Sequence, residues 1–216
     1  MENTSFYHFA PRKPRSPSLD ILVEKLSPYV EFNQYPPGKR LPFERHGVRK
    51  CYLIRSGAIT LHQQLDDILL GMFEAPSIRG VVHGNGEYSY SFLTLRVFTL
   101  SEIAILSYDA FIALIAKLEL WQDLFNHLQA VTAALFTHNL QLTLPTSRQI
   151  VFNQLIELMH EPQRLRESMT AEKYIRSKTR LSRSGTMRII AELRAEGHIV
   201  IHNGLLEAIK SYPARL

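Results

Sequence analysis

Between Thr179 and Ile199 the chain reads TRLSRSGTMRIIAELRAEGHI, which sets Arg180, Arg183, Arg188 and Arg194 among Leu181, Met187, Ile189, Ile190 and Leu193. A guanidinium is planar, permanently charged and offers parallel N–H donors. Arginines at helical spacing therefore suit two tasks: pairing with phosphates, and reading the O6 and N7 acceptors of guanine. Ser182 stands just before the periodic run, where its hydroxyl can accept from the first free amides of a helix. Counted from Ser182, Ile189, Ile190 and Leu193 fall on the inward side, while Arg183, Ser184 and Arg188 in the first two turns face out. From Arg176 to Arg188 there are five basic residues and no acidic one. An ordinary solvated basic face is the competing reading, and the elements on either side argue against it.

Those elements have their own start and stop signals. LPTSRQIVFNQLIELMH predicts a helix after Pro145, capped by Thr146 or Ser147 and closing near His160 before Pro162. MTAEKYIRSK predicts another, with Thr170 as N-cap and Glu172 in the first turn, where the helix dipole favours an acid. After the arginine-bearing helix, HIVIHNGLLEAIK places two apolar runs around Asn203-Gly204, a dipeptide that tolerates positive φ and closes a hairpin. Helix, helix, a turn near Thr179 to Leu181, helix and hairpin make the winged helix-turn-helix plan. Double-stranded DNA is the partner this predicts.

Charge agrees with that plan. Residues 145–216 hold 12 Lys+Arg against 7 Asp+Glu, and residues 1–144 hold 13 of each, so the whole formal net charge of +5 lies in the last third. A basic domain attached to a neutral one points to a polyanion. No Lys/Arg-rich amphipathic helix with a broad apolar face is present to favour a membrane surface. Four regions are expected. Residues 1–18, with Pro11, Pro14 and Pro17 among Arg12, Lys13 and Arg15, read as a mobile arm whose basic cluster is solvated. Residues 19–107 begin with a short amphipathic helix over Leu19–Leu26 and continue as short β-branched and aromatic strands (KCYLIRSGAITLHQ, DDILLGMFE, YSYSFLTLRVFTL, EIAILS), the pattern of a barrel or sandwich. Residues 108–144 change to helical period, with a break expected between Leu118 and Trp121. Leu124, Leu128, Val131 and Leu135 mark a face for a second copy of the chain, since Val131, Ala134, Leu135, Phe136 and Leu140 nearly encircle the helix. Residues 145–216 form the winged domain.

The run LSRSGTMRIIAELRAEGHI resembles, without gaps, the recognition helix of the cyclic-AMP receptor and fumarate-nitrate regulator (CRP/FNR) family of bacterial transcription factors. YDAFIALI from Tyr108 resembles the short helix that this family places after its β-roll. The resemblance implies an α+β chain with an N-terminal cyclic-nucleotide-binding-like β-roll, a long dimerisation helix and a C-terminal winged helix-turn-helix. It implies a homodimer on an inverted DNA repeat, with RNA polymerase as a candidate further partner. By the same resemblance Arg183, Ser184 and Arg188 fall on base-reading positions and His202 on a phosphate contact; Lys178, Thr179 and Ser182 are also assigned to phosphates. Ser184 stands where the family often has Glu, which leaves the target sequence open. In the roll, SIRGVVHGNGEYSYSF departs from the family's Gly-Glu and Arg-Ser phosphate cassette: no Arg follows the glycines until Arg96, and Glu87 would repel an anion. Cyclic AMP is therefore not expected to bind. The N-terminal cysteine cluster of the iron-sulfur members is missing. Within the family the layout, with YIRSKTRLSRS, is most like the inhibitor-of-peroxide-resistance regulators of enteric bacteria, which implies a link to oxidative stress.

Two other classes compete. β-Rolls also house metal-dependent cupin enzymes, but those need a His-x-His pair, and His62 and His83 each stand alone. No catalytic residue, metal site or cofactor is predicted. A protein-interaction module whose basic helix binds an acidic partner is the other alternative, and salt-sensitive, sequence-selective DNA binding separates it. Cys51, the one cysteine, is a candidate redox thiol because Arg49 and Lys50 could lower its pKa if it were exposed, against the commoner case of a buried, inert strand cysteine. A single cysteine, no apolar N-terminal segment of signal-peptide length and no membrane-length apolar run predict a cytoplasmic protein.

Overall fold

In the computed structural model, residues 16–65, 67–82, 92–142 and 146–213 are described. The chain divides into a unit over Arg15–Val131 and a second containing Thr132–Leu216.

The first unit opens with helix α1, Pro17–Leu26. It begins two residues before the expected start and takes in the end of the expected arm, because Pro17 at the first helical position has its φ already set and no amide to leave unpaired. Among the described residues nine strands follow: β1 Asn33–Tyr35, β2 Arg40–Pro42, β3 Glu44–Arg45, β4 Val48–Ser56, β5 Ala58–Gln63, β6 Leu69–Glu74, β7 Ser77–Arg79, β8 Leu93–Val97 and β9 Ser101–Ser107. They form two antiparallel sheets, β1-β9-β4-β3 with β7 also on β4, and β2-β8-β5-β6. Alternation along the strands splits the core in two. Tyr52, Ile54 and Ile103 meet Ile59, Leu95 and Val97 between the sheets. Cys51, Leu53, Ile78 and Ala104 point the other way and pack against Leu22 and Leu26 of α1 and Phe111 and Ile115 of α2, Tyr108–Lys117. Ser107 caps α2 by accepting from the Ala110 amide at 3.2 Å. The expected break occurs where Glu119 adopts φ +56°, and α3 then runs from Trp121 to Leu142.

The second unit holds α4 Ser147–His160, α5 Gln163–Ser168, α6 Ala171–Lys178, α7 Arg183–Ala195, and the hairpin β10 Ile199–His202 and β11 Leu205–Ile209. Thr146 makes a capping box with Gln149: the Gln149 amide donates to Thr146 Oγ1 at 3.0 Å, and Gln149 Oε1 accepts from the Thr146 amide at 3.0 Å. Thr170 caps α6, as its spacing predicts. Asn203 at φ +49° and Gly204 at φ +81° make the hairpin turn. The short α5 was not anticipated; six residues carry too little periodicity to announce a helix.

Candidate nucleic-acid interface

The interface begins with why α7 sits still. Ser182 accepts from the Gly185 amide at 3.2 Å, and Thr186 Oγ1 donates back to the Ser182 carbonyl at 2.9 Å, so the first turn is fixed from both sides. Ile189, Ile190 and Leu193 are buried, and Tyr174 and Ile175 of α6 are buried in the same domain. Arg148 of α4 secures the C-terminal half of α7, with Nη1 3.3 Å from Glu192 Oε2 and Nη2 against Glu196. What remains outside is a face made of Arg183, Ser184, Met187, Arg188 and Ala191. The side chains of Arg183 and Arg188 are 77% and 69% exposed.

Arg188 is free to reach outward but is not unconstrained. Its Nη1 lies 2.7 Å from Glu192 Oε1, while the other oxygen of that carboxylate serves Arg148. Glu192 thus spans the domain core and an outward arginine. Arg183 Nε stands 3.8 Å from Glu172 Oε1, a looser pairing. Met187, 49% exposed, lies on the same face, where an apolar side chain can meet a thymine methyl. The sequence pattern groups Met187 with the apolar residues of the stretch; its helical angle between Ser184 and Arg188 is the signal that places it outside.

The residues assigned to phosphates separate. His202 at the end of β10 is exposed, 4.0 Å from Glu207, and Ser182 and Arg180 are exposed beside the turn. Thr179 is partly buried, and its hydroxyl donates to the Ile175 carbonyl at 2.9 Å. Lys178 must be corrected. Its side chain is 1% exposed, with Nζ 2.5 Å from Glu157 Oε1 and 3.7 Å from Glu161 Oε1. Tyr174 completes the cluster by donating to Glu161 at 3.0 Å, and burial beside these carboxylates drives its phenol well above the usual tyrosine range. Lys178 ends α6 on the side facing α4, so its ammonium neutralises carboxylates inside the domain and does not reach a phosphate.

The α3 face also divides. Leu124 is buried in the core of its own roll and Leu128 packs against that core, so Leu124 is withdrawn as a residue for a second subunit. Val131 is half-buried. Leu135 is exposed, and Trp121, Phe125 and Phe136, which the sequence reading left out of the face, are exposed with it, all at least 51%. At 100° per residue these four fall within an arc of about 100°.

In the roll, Cys51 is fully buried on β4; its thiol donates to the Gly80 carbonyl at 3.3 Å, and burial pushes its pKa up to about 12. A thiol so protonated is a poor nucleophile, so Cys51 is withdrawn as a redox candidate. Arg49 lies over the Tyr108 ring instead of activating it. His62 is not isolated: Nε2 is 2.9 Å from Thr60 Oγ1 and Nδ1 3.4 Å from Asp67 Oδ1, and burial lowers its pKa, with Arg96 adding to the effect. Arg96 itself is paired with Asp67. His83 and Glu87 lie outside the described residues. Among the described residues no three His, Cys, Asp or Glu side chains group as a metal site, and no helix is long and apolar enough to cross a membrane.

An antiparallel roll, a long helix and a capped, arginine-faced helix-turn-helix with its wing give the chain a fold similar to that of solved regulators with the same order of parts. Residues 147–214 match the winged helix-turn-helix DNA-binding family. The chain is 28% identical over 165 residues to the inhibitor of hydrogen peroxide resistance of Escherichia coli K12, covering 76% of this chain and 78% of that one. Its fold is similar to the c-di-GMP-responsive global regulator CLP of Xanthomonas campestris, with TM-score 0.63, 18% identity, 89% of this chain and 100% of that chain covered. It is also similar to a CooA mutant from Carboxydothermus hydrogenoformans, with TM-score 0.61, 12% identity, and 88% and 86% covered. The enzyme alternative is not favoured by any of these likenesses.

Proposed function

We propose that the chain acts as a homodimer that reads an inverted DNA repeat in the cytoplasm, with RNA polymerase as its further partner and oxidative stress as its setting. The observation that carries the reading is the outward face of α7, where two arginines and Ser184 lie in the first two turns of a capped helix backed by its own core. Arg183, Ser184 and Arg188 read bases; Ser182, Thr179 and His202 hold backbone phosphates. The exposed Trp121, Phe125, Leu135 and Phe136, flanked by Leu128 and Val131, form the dimer face of α3, because apolar residues recurring on one side of a long helix are covered by a like helix. The stress link rests on the likeness to the inhibitor of hydrogen peroxide resistance, and with Cys51 buried the signal does not pass through that thiol. Cyclic AMP is not the effector, in keeping with the lack of the phosphate cassette and with Arg96 held by Asp67; calorimetry at millimolar cyclic AMP should be flat, and saturable heat would refute this part.

Sedimentation of the full chain should give twice 24.9 kDa. In vitro selection from random duplexes should yield an inverted repeat with half-sites about 34 Å apart. A monomer at micromolar concentration, or selection of no common sequence, would contradict the proposal.

A further inference from the structure

Glu192 is a poorly placed acid if helix stability is its task. It stands in the last turn of α7, where the helix dipole disfavours a carboxylate. Arg188 precedes it by four residues, the weaker order for an i,i+4 pair of cation and acid. With the arginine 69% exposed, such a pair adds little to folding. Yet Glu192 is firmly held. Arg148 of α4 donates from Nη1 to Glu192 Oε2 at 3.3 Å and from Nη2 to Glu196, and Glu196 Oε2 lies 3.2 Å from His198 Nε2. His198 Nδ1 in turn lies 2.8 Å from Ser211 Oγ. A chain of side chains thus fixes the carboxylate from behind, while its other oxygen, Oε1, accepts from Arg188 Nη1 at 2.7 Å.

That bond uses one end of the guanidinium. Nε and Nη2, parallel along the other edge, remain for two acceptors such as the O6 and N7 of guanine. A phosphate brought to the same edge meets the negative charge of Glu192, whereas a guanine is neutral and does not. The anchored carboxylate therefore opposes capture of Arg188 by the DNA backbone and leaves base contact unopposed. Arg183 is held differently. Its Nε is 3.8 Å from Glu172 Oε1, beyond hydrogen-bond reach, and that oxygen already accepts from Arg176 Nη1 at 3.0 Å. Of the two outward arginines, one is buttressed and the other is loosely paired.

We infer that Glu192 is a specificity-determining positioning residue, which holds Arg188 by Nη1 and turns its free edge to a base in preference to a phosphate. The inference rests on the proposal that Arg188 reads a base.

The test uses the full chain and competition binding on the inverted repeat obtained by selection, with each half-site position varied. Glu192→Gln keeps the shape and an oxygen for Arg148 but loses the charge. It should bind random-sequence duplex about threefold more tightly and steepen the salt dependence by up to about one unit. It should also reduce, by about fivefold, the preference at the base pair that Arg188→Ala relaxes. Preference at the base pair relaxed by Arg183→Ala should stay as in wild type. Each preference is a ratio measured on one preparation, so partial unfolding of a variant cancels out of it. In an Arg188→Ala background Glu192→Gln should no longer move the ratio. A role in folding alone would lower Tm and leave the ratio unchanged in Glu192→Gln; that result, or the same shift in the ratio with Arg188 absent, would overturn the inference. If Arg188→Ala relaxes no base pair, the base-reading proposal falls and this inference with it. If Arg188→Ala relaxes one and Glu192→Gln does not, the inference falls alone.

Discussion

Lys178 and Arg79 are both cations taken out of water, one in each unit, and their surroundings are opposite. Lys178 has Glu157 and Glu161 within 4 Å and a tyrosine hydroxyl tying one of those carboxylates down, so its charge is spent holding α6 to α4. Arg79 has an aromatic face, one backbone carbonyl and, among the described residues, no partner for its Nε. A neutralised buried cation is part of the framework by its ion pairs, whereas one with no carboxylate partner among the described residues is held by ring and carbonyl contacts. The same distinction sorts the basic residues of the winged domain: between Arg176 and Arg188 charge alone does not tell a phosphate contact from a core ion pair, and burial does.

The contrast can be broken at several points, the largest first. Lys178→Ala strands two buried carboxylates and should cost about 3 to 5 kcal/mol of winged-domain stability, seen as a lowered urea midpoint; DNA binding should be lost on all sequences through unfolding. A protein of wild-type stability with a merely reduced salt slope would return Lys178 to the DNA surface. Next is the dimer face. Phe136→Asp sets a charge on the exposed face of α3 and should shift sedimentation toward the monomer at micromolar concentration, while Leu124→Ala should destabilise the roll by about 2 to 5 kcal/mol without changing the oligomer. If Leu124→Ala dissociates the dimer and Phe136→Asp does not, the assignment of the face is reversed.

The smaller effects concern the roll. The folded-state pKa of His127, about 4, lies below the ordinary 6.5, so between those values the unfolded chain binds more protons than the folded one. The corresponding stability is complete above about pH 6.5 and is lost as pH falls toward 4. Unfolding of the wild-type protein in a buffer free of phosphate and carboxylates should show that decline, and His127→Leu should flatten it. Arg79→Met, in the same buffer, should change stability by no more than about 1 kcal/mol, because removing a buried charge with no carboxylate partner among the described residues offsets the packing lost against Phe73. A loss as large as that of Lys178→Ala would show that Arg79 is framework too.

Much of this was legible in the chain before any coordinates. The caps Thr146, Thr170 and Ser182, the Asn203-Gly204 turn, the break before Trp121 and the inward Ile189, Ile190 and Leu193 are local signals, each set by a hydrogen bond or a period a few residues long. Lys178 differs from expectation because its partners Glu157 and Glu161 lie 17 to 21 residues earlier, on α4 and just past its end, and no local pattern shows which side of a short helix they will meet. Leu124 failed for a related reason: α3 is apolar around most of its circumference, so periodicity alone cannot divide a face for the roll from one for a partner. Arg79 went unnoticed because one arginine in a three-residue strand gives no signal; only the register opposite Tyr52 points it inward.

The central claim is that the outward arginines of α7 read bases individually. Competition binding on the selected inverted repeat, with each half-site position varied in turn, should show that Arg183→Ala and Arg188→Ala each lose about 1 to 3 kcal/mol on the preferred sequence and relax preference at one base pair, a different one for each. Equal losses on every duplex, with the base preferences of the wild type intact, would show that the helix supplies only charge and would contradict the account.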